Sequence, residues 1–333
     1  MYFINSRIRL HALSLAVMTA ASFSVGVGSV SAETFPSKPV TFVVPFPPGG
    51  PTDAMARILA VALTDALNQS VIVENKAGAG GNIGADMVAR AKPDGYTIMF
   101  GTSGPLAINK SLYKNISYDP QSSFAPVIRV GHLPNILVVN PKVQADTVQE
   151  LIAQDRAQPR SLNFASSGNG ASSHLAGVLF NQKAGTELQH VPYKGTGPAL
   201  NDLLGGQVQM TFTDILTAMP YIQSGKLKAI GVATEKRSQA MPQIPTIAEQ
   251  GLPGYDVSVF FGVVAPAGTP EDRITTLNQA FRKALDSEKV RSAFKAQGLE
   301  SAPDHSPQAL ADFITEEVAK WKQVVDLSGA KLD

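Results

Sequence analysis

Apolar positions along this chain follow two spacings in alternation. The run Val40-Thr41-Phe42-Val43-Val44, ended by Pro45, predicts a strand. Met55, Ile58, Leu59, Ala62, Leu63 and Leu67 then recur at helical spacing and predict a helix over 52–67. The alternation continues with strands at 70–74 and 97–101 and helices at 82–91 and 104–112. It starts afresh with strands at 136–140, 162–165, 188–191, 208–212 and 229–233, separated by helices at 147–154, 172–184, 198–204 and 218–224. A last strand at 257–264 stops at Pro266-Ala267-Gly268-Thr269-Pro270, and helices fill the remainder, including 306–325.

Strands joined by helical crossovers predict a parallel sheet with helices on both faces. Two such α/β units of about a hundred residues each, with a helical tail, predict two lobes between which the chain crosses twice. The crossings are expected near 126–135 and 255–265. If the tail packs back on the first lobe, that lobe combines 33–132 with 260–333, and the second spans 133–259. A cleft between them is the place for a ligand, because the loops and helix N-termini at the carboxyl ends of parallel strands face it.

The first 32 residues read as an address. Arg7 and Arg9 form a positive start, 13–30 is apolar but diluted by Ser14, Ser22, Ser24, Gly26, Gly28 and Ser29, and Val30-Ser31-Ala32 offers small residues at a cleavage site. A spanning helix needs about 20 strongly apolar residues, so a signal peptide cut after Ala32 is the expectation, rather than an anchor.

Composition narrows the functions. Lys+Arg 28 against Asp+Glu 27, with no basic run, leaves no electrostatic footprint for nucleic acid. Cys 0 removes disulfides, thiolate metal sites and cysteine nucleophiles. The five histidines, His11, His132, His174, His190 and His305, make no ligand-spaced pair, so neither a metal nor a cofactor is expected. No G-x-x-x-x-G-K-[ST] loop exists. Gly78, Gly80 and Gly84 miss the dinucleotide fingerprint at Ile83, and Gly101-Thr102-Ser103-Gly104-Pro105 misses the nucleophile elbow at its last residue.

The informative segments are the loops after the strands. Pro45-Phe46-Pro47-Pro48-Gly49-Gly50-Pro51-Thr52-Asp53 can expose backbone N–H groups at a helix start. Ser166-Ser167-Gly168-Asn169-Gly170-Ala171-Ser172-Ser173-His174 sets four hydroxyls and an amide between a strand and a helix, a design for holding a carboxylate or phosphate. Tyr193-Lys194-Gly195-Thr196-Gly197-Pro198 repeats the pattern, and Phe212-Thr213-Asp214 closes the series. Gly, Ser, Asn and Pro are also what any turn or cap requires. Asp53 and Asp214 read equally as caps or as ligand contacts, Lys194 as a surface or a pocket cation, and His174 as a packed imidazole.

Several blocks carry a family resemblance. Pro39-Val40-Thr41-Phe42-Val43-Val44-Pro45-Phe46-Pro47-Pro48-Gly49-Gly50, Val73-Glu74-Asn75-Lys76-Ala77-Gly78-Ala79-Gly80-Gly81, Lys92-Pro93-Asp94-Gly95-Tyr96-Thr97, Val191-Pro192-Tyr193-Lys194-Gly195, Gly225-Lys226-Leu227-Lys228-Ala229 and Ala265-Pro266-Ala267-Gly268-Thr269-Pro270 resemble the Bug proteins, periplasmic solute receptors of tripartite tricarboxylate transporters. The resemblance covers nearly all of the chain after residue 32.

It implies a two-lobe, type II-like periplasmic-binding-protein fold that closes by hinge motion on a small carboxylate: a di- or tricarboxylate, an acidic amino acid or an aromatic acid. It further implies a periplasmic monomer that is not an enzyme and that delivers its solute to separate permease subunits or to a sensor protein. Carried over residue by residue, the implied ligand contacts are Phe46, Pro48, Gly49, Gly50 and Asp53, then Thr102 and Ser103. From the second lobe come Ser166, Ser167, Gly168, Asn169, Gly170 and Ser172, followed by Lys194, Gly195, Thr196, Thr213 and Asp214. Asn169 stands where the family pattern leads one to expect Gly or a small residue. A secreted enzyme using Asp53 or Asp214 as a base is the alternative of another class.

Overall fold

A computed structural model describes residues 34–333, and Phe35–Asp333 form one compact unit. The expected signal peptide and its cleavage point lie outside the described residues. The chain runs β1 (Val40–Val44), α1 (Pro51–Leu67), β2 (Val71–Asn75), α2 (Asn82–Ala89), β3 (Thr97–Thr102), a π-helical segment Gly104–Ile108 and α3 (Asn109–Leu112). It continues through β4 (Phe124–Val139), α4 (Val148–Ala157), β5 (Asn163–Ser166), α5 (Ser172–Ala184), β6 (Gln189–Pro192), α6 (Thr196–Gly205), β7 (Met210–Asp214), α7 (Ile215–Gln223) and β8 (Lys228–Val232). It ends with β9 (Ser258–Pro266), α8 (Glu271–Asp286), α9 (Glu288–Ala296), β10 (Glu300–Ser301) and α10 (Pro307–Ser328).

The strands lie in the order β2-β1-β3-β9-β4-β7-β5-β6, with β8 and β10 also on β4. Parallel pairing joins β1 to β2 and β3, and β5 to β6 and β7, as the crossover pattern predicts. The middle of the sheet departs from the prediction. β9 is antiparallel to β3 and β4, and β4 is antiparallel to β7 and β8.

The crossing expected near 126–135 therefore lies within a 16-residue strand. Pro126, Gly131 and Pro134 hide this strand from a sequence reading, since proline cannot donate to a ladder. The structure accommodates them with register shifts between Pro126 and Ile128 and between Arg129 and Gly131, where β-bulges relax the pairing. β4 passes from pairing with β9, through Pro134, to pairing with β7, starting at Asn135.

Side-chain alternation along β4 serves two cores at once. Ile136 and Val138 join Leu200, Leu203 and Ile215 on one face. Leu137 and Val139 point the other way, toward Phe164, Phe212 and Trp321. On the first half of the sheet, Phe42 meets Phe100 and Phe281 with centroids 5.7 Å apart in each pair, and Phe100 stacks on Phe261 at 5.4 Å.

The tail does not simply close one lobe. α8 packs on α1 and β4, whereas α10 packs on β4, on the 104–112 helical segment and on α5, so it touches elements of both halves. Its Trp321 is fully buried and donates from Nε1 to Glu317 Oε2 at 2.7 Å, which satisfies the indole within the core. Truncating such a ring costs about 3–5 kcal/mol.

Candidate functional site

The loops after β1, β3, β5, β6 and β7 converge between the two halves of the sheet and enclose two adjoining cavities. The first, about 460 Å³, is lined by Gly49, Gly50, Ser167, Ser172, Thr196, Thr213 and Asp214. The second, about 420 Å³, is lined by Phe46, Thr102, Ser103, Gly168, Asn169 and Gly170. Ser167, Ser172 and Val259 belong to both. Each volume lies in the range of a small-molecule site.

The first wall is a loop held by charge. Gly49 takes φ +86, a conformation that Gly adopts without strain, and Gly50 precedes α1 with Pro51 at its first turn. The Asp53 carboxylate, 4% exposed, reaches back under this loop. Its Oδ2 accepts from Gly49 N–H and from Arg57 Nε, both at 2.9 Å, and its Oδ1 accepts from Asn75 Nδ2 at 2.9 Å. Asn75 Nδ2 also donates to Phe46 O at 3.1 Å, so the end of β2 fixes the loop. Arg57 hydrogen-bonded to Asp53 holds its carboxyl down at about 2, with the Gly49 and Asn75 donors helping against burial. A carboxylate so anchored is a weak base at neutral pH.

The second wall is held by neutral groups. Ser166 is fully buried at the end of β5, with its Oγ 2.6 Å from His190 Nε2 and accepting from Gly168 N–H at 3.2 Å. Ser167 N–H donates to Ser173 Oγ at 3.0 Å, and Gly170 N–H donates to His174 Nδ1 at 3.1 Å. That bond assigns the unprotonated nitrogen of His174 to Nδ1. Phe164, His190 and His174 form a stack, with centroids 5.0 Å apart for the first pair and 3.9 Å for the second. Burial, then the neighbouring His174, pushes His190 down to about 4, and burial lowers His174 as well.

The helix starts around the first cavity differ in how they are capped. α1, α5 and α6 start after Gly50, Ala171 and Gly195, and no side chain caps any of the three. Away from the cleft, α4, α9 and α10 are capped by Thr147, Ser287 and Ser306. α2 and α8 also lack a side-chain cap, and α8 carries Glu271 and Asp272 in its first turn, as α1 carries Asp53. Three N-termini with unclaimed backbone donors thus open on one space, an arrangement suited to an anion. α7 is the exception at the cleft, because Asp214 caps it by accepting from Thr217 N–H at 2.8 Å and from Thr217 Oγ1 at 2.6 Å.

Not every residue singled out from the sequence faces this space. Asp53 and Ser166 are buried behind it, Pro48 and Lys194 are exposed, and neither these four nor Gly195 lines either cavity. Ser103 lines the second cavity, yet its hydroxyl already accepts from Phe260 N–H at 2.9 Å and ties β3 to β9. Conversely, Asn135, Thr217 and Gln297 line the first cavity and went unread in the sequence. Asn135 had one signal, a lone amide opening the apolar run 136–139 at the crossing. Gln297 had none, because only tertiary packing brings the end of α9 there.

Among the described residues, no group of three or more His, Asp or Glu could hold a metal ion, and no helix is long and apolar enough to cross a membrane.

The chain and its fold have counterparts among known proteins. Protein BugT of Bordetella pertussis is 42% identical over 320 residues, covering 96% of this chain and 98% of BugT. The solved structure of R. palustris Rpa4515 with adipate superposes with a TM-score of 0.74 at 37% identity, covering 90% of this chain and all of that one. MatC from Rhodopseudomonas palustris with bound malate gives 0.72 at 35% identity, covering 87% of this chain and 100% of MatC. The structure of the periplasmic binding protein BugD gives 0.71 at 37% identity, covering 89% of this chain and 99% of BugD. The model of the tripartite tricarboxylate transporter family receptors, TctC, matches residues 55–329. With that match running from the first helix of the cleft to the end of α10, and with relatives that share its two-lobe α/β fold, this chain belongs to the TctC family of tripartite tricarboxylate transporter receptors.

Proposed function

We propose that this protein is a periplasmic receptor that binds a small carboxylate between its lobes and hands it to the membrane permease of a tripartite transporter. The observation that carries the reading is the convergence of three uncapped helix N-termini, those of α1, α5 and α6, on one cavity. Backbone N–H groups and hydroxyls at such a place stabilise a small anion without a buried cation. Adipate and malate in two related structures support a carboxylate as that anion.

On this reading Gly50, Ser167, Ser172 and Thr196 hold the carboxylate, Gly49 shapes the loop, and Thr213 and Asp214 lie further along the same cavity. Phe46, Thr102, Gly168, Asn169 and Gly170 shape the adjoining space. Asp53 and Ser166 act by fixing the two loops, and Lys194 stays outside. The lobes divide at β4 and β9, as 33–132 with 260–333 against 133–259, and close by hinge motion about those two strands. The protein acts as a monomer, without cofactor or catalysis, after export and removal of residues 1–32.

Thermal unfolding of the protein from Glu33 onward, with carboxylates and their uncharged amides, tests the reading. A solute bound only to the native state at a hundred times its Kd adds about 2.7 kcal/mol of stability. A rise in melting temperature with an acid and none with its amide supports the receptor. No rise with any acid, for protein unfolded and refolded to strip any copurified solute, refutes it.

A further inference from the structure

The charge around the first cavity is one-sided. Among the described residues, no Lys, Arg or His lines either cavity, and the one carboxylate there is that of Asp214. A second carboxylate on the solute would find no cation to meet it and would face Asp214 across a partly desolvated space.

Asp214 does not stand alone. Asn135 is its register partner across the β4–β7 ladder, which places the two side chains side by side on one face of the sheet. Asn135 is 2% exposed, lines the same cavity, and its Nδ2 has no hydrogen-bond acceptor. A buried amide nitrogen without a partner carries a desolvation penalty that an incoming acceptor would relieve. Asp214 accepts twice from Thr217, and a carboxylate offers about four acceptor positions, so it retains room for a donor.

The pair thus offers one donor and one acceptor next to each other. A hydroxyl or a carboxamide satisfies both, donating to Asp214 and accepting from Asn135. An ammonium can only donate, a carboxylate can only accept, and a methyl does neither.

We infer that the solute is a monocarboxylate whose other end carries a hydroxyl or a carboxamide, received by Asn135 and Asp214, and not a dicarboxylate. This rests on the carboxylate reading above and narrows it to a substrate class that differs from the diacids bound in the two related structures.

The test is calorimetric titration of unliganded protein with straight-chain acids of four to six carbons. At each length, the far end is hydroxyl, carboxamide, ammonium, methyl or carboxylate. The expected result is that a hydroxyl- or carboxamide-ended acid binds at least tenfold more tightly than the diacid, the ammonium and the methyl compounds of its length. Asp214→Asn keeps a good helix cap and is expected to raise diacid affinity at least tenfold. Asn135→Leu, which removes an unpartnered buried amide, is expected to leave the unliganded melting temperature unchanged or higher while lowering hydroxy-acid affinity about tenfold.

A diacid that binds the wild type as tightly as the hydroxy acid overturns the inference, as does a diacid affinity unchanged by Asp214→Asn. Equal binding of the ammonium compound removes Asn135 from the site, and equal binding of the methyl compound removes the pair. If no acid of any kind binds, the carboxylate reading falls and this inference falls with it. If only the diacids bind, the carboxylate reading stands and the inference alone fails.

Discussion

The two walls of the cleft present the same chemistry, backbone donors at a helix start, but are held in place by opposite means. The β1–α1 loop is fixed by an ionised carboxylate, Asp53, clamped by Arg57, Asn75 and Gly49 N–H. The β5–α5 loop is fixed by serine hydroxyls and by two imidazoles, of which burial disfavours the charged form. Either scheme spends backbone donors of its own loop, Gly49 N–H in the first and Ser167, Gly168 and Gly170 N–H in the second, and leaves the helix starts without side-chain caps. The difference lies in which conditions undo each wall, since one needs its supporting group charged and the other needs it neutral.

The largest effect is expected from removing what both cavities share. Ser167→Ala combined with Ser172→Ala deletes two hydroxyls common to both cavities, and hydrogen bonds to a charged group are worth about 1.5–3 kcal/mol each. Carboxylate affinity should fall at least a hundredfold in titration calorimetry, with the unliganded melting temperature nearly unchanged. Retained affinity would place the carboxylate elsewhere.

The charged wall comes next. Asp53→Ala should cost about 2 kcal/mol in urea unfolding, because Arg57 and two neutral donors lose a charged acceptor. The sign of the pH dependence follows from the carboxyl being held at about 2, below the usual 3.8. Its stabilisation is complete above pH 3.8 and is lost as pH falls from there toward 2, and the variant should lack that loss.

In the neutral wall, Gly170 takes φ +75, and a Cβ there would lie 2.6 Å from Leu112 Cδ2. Gly170→Ala is expected to destabilise by about 1–2 kcal/mol and to weaken binding through the displaced loop. The same wall should respond to acid in a different window. His190 is held at about 4 against an ordinary 6.5, so the unfolded chain binds the extra proton between these values. Stability from this residue is complete above pH 6.5 and lost as pH falls toward 4. Melting curves of His190→Gln over that range should decline less steeply than those of the wild type, while Asp53→Ala should not alter this segment.

The smallest effect is expected at Lys194, whose side chain is exposed and lines neither cavity. Lys194→Ala should change affinity less than twofold. A loss of tenfold or more would mean that closure brings this lysine to the solute and that the pocket is not free of cations.

The sequence by itself determined the alternating elements, the family resemblance and the position of the donor-rich loops, because each of these is local. Strand period, helical spacing, proline stops and Gly-Ser turns act over a few residues and leave their mark in order along the chain. Thus β1, α1, β5 and α5 stand close to where apolar spacing put them, and the loops between them reach one cleft.

Only the tertiary structure decided how these parts face one another. Pro126, Gly131 and Pro134 argue locally against a strand, yet β4 forms because β9, β7 and β8 supply its hydrogen bonds from far along the chain. Long-range pairing of β1 with β2 brought Asn75 to Asp53, a brace that Arg57 completes locally from one turn along α1. Pairing of β4 with β7 set Asn135 beside Asp214, 79 positions apart, which no spacing rule links. Which backbone donors remain free for a solute depends on which side chains fail to cap them, and that is a property of the assembled cleft rather than of any segment.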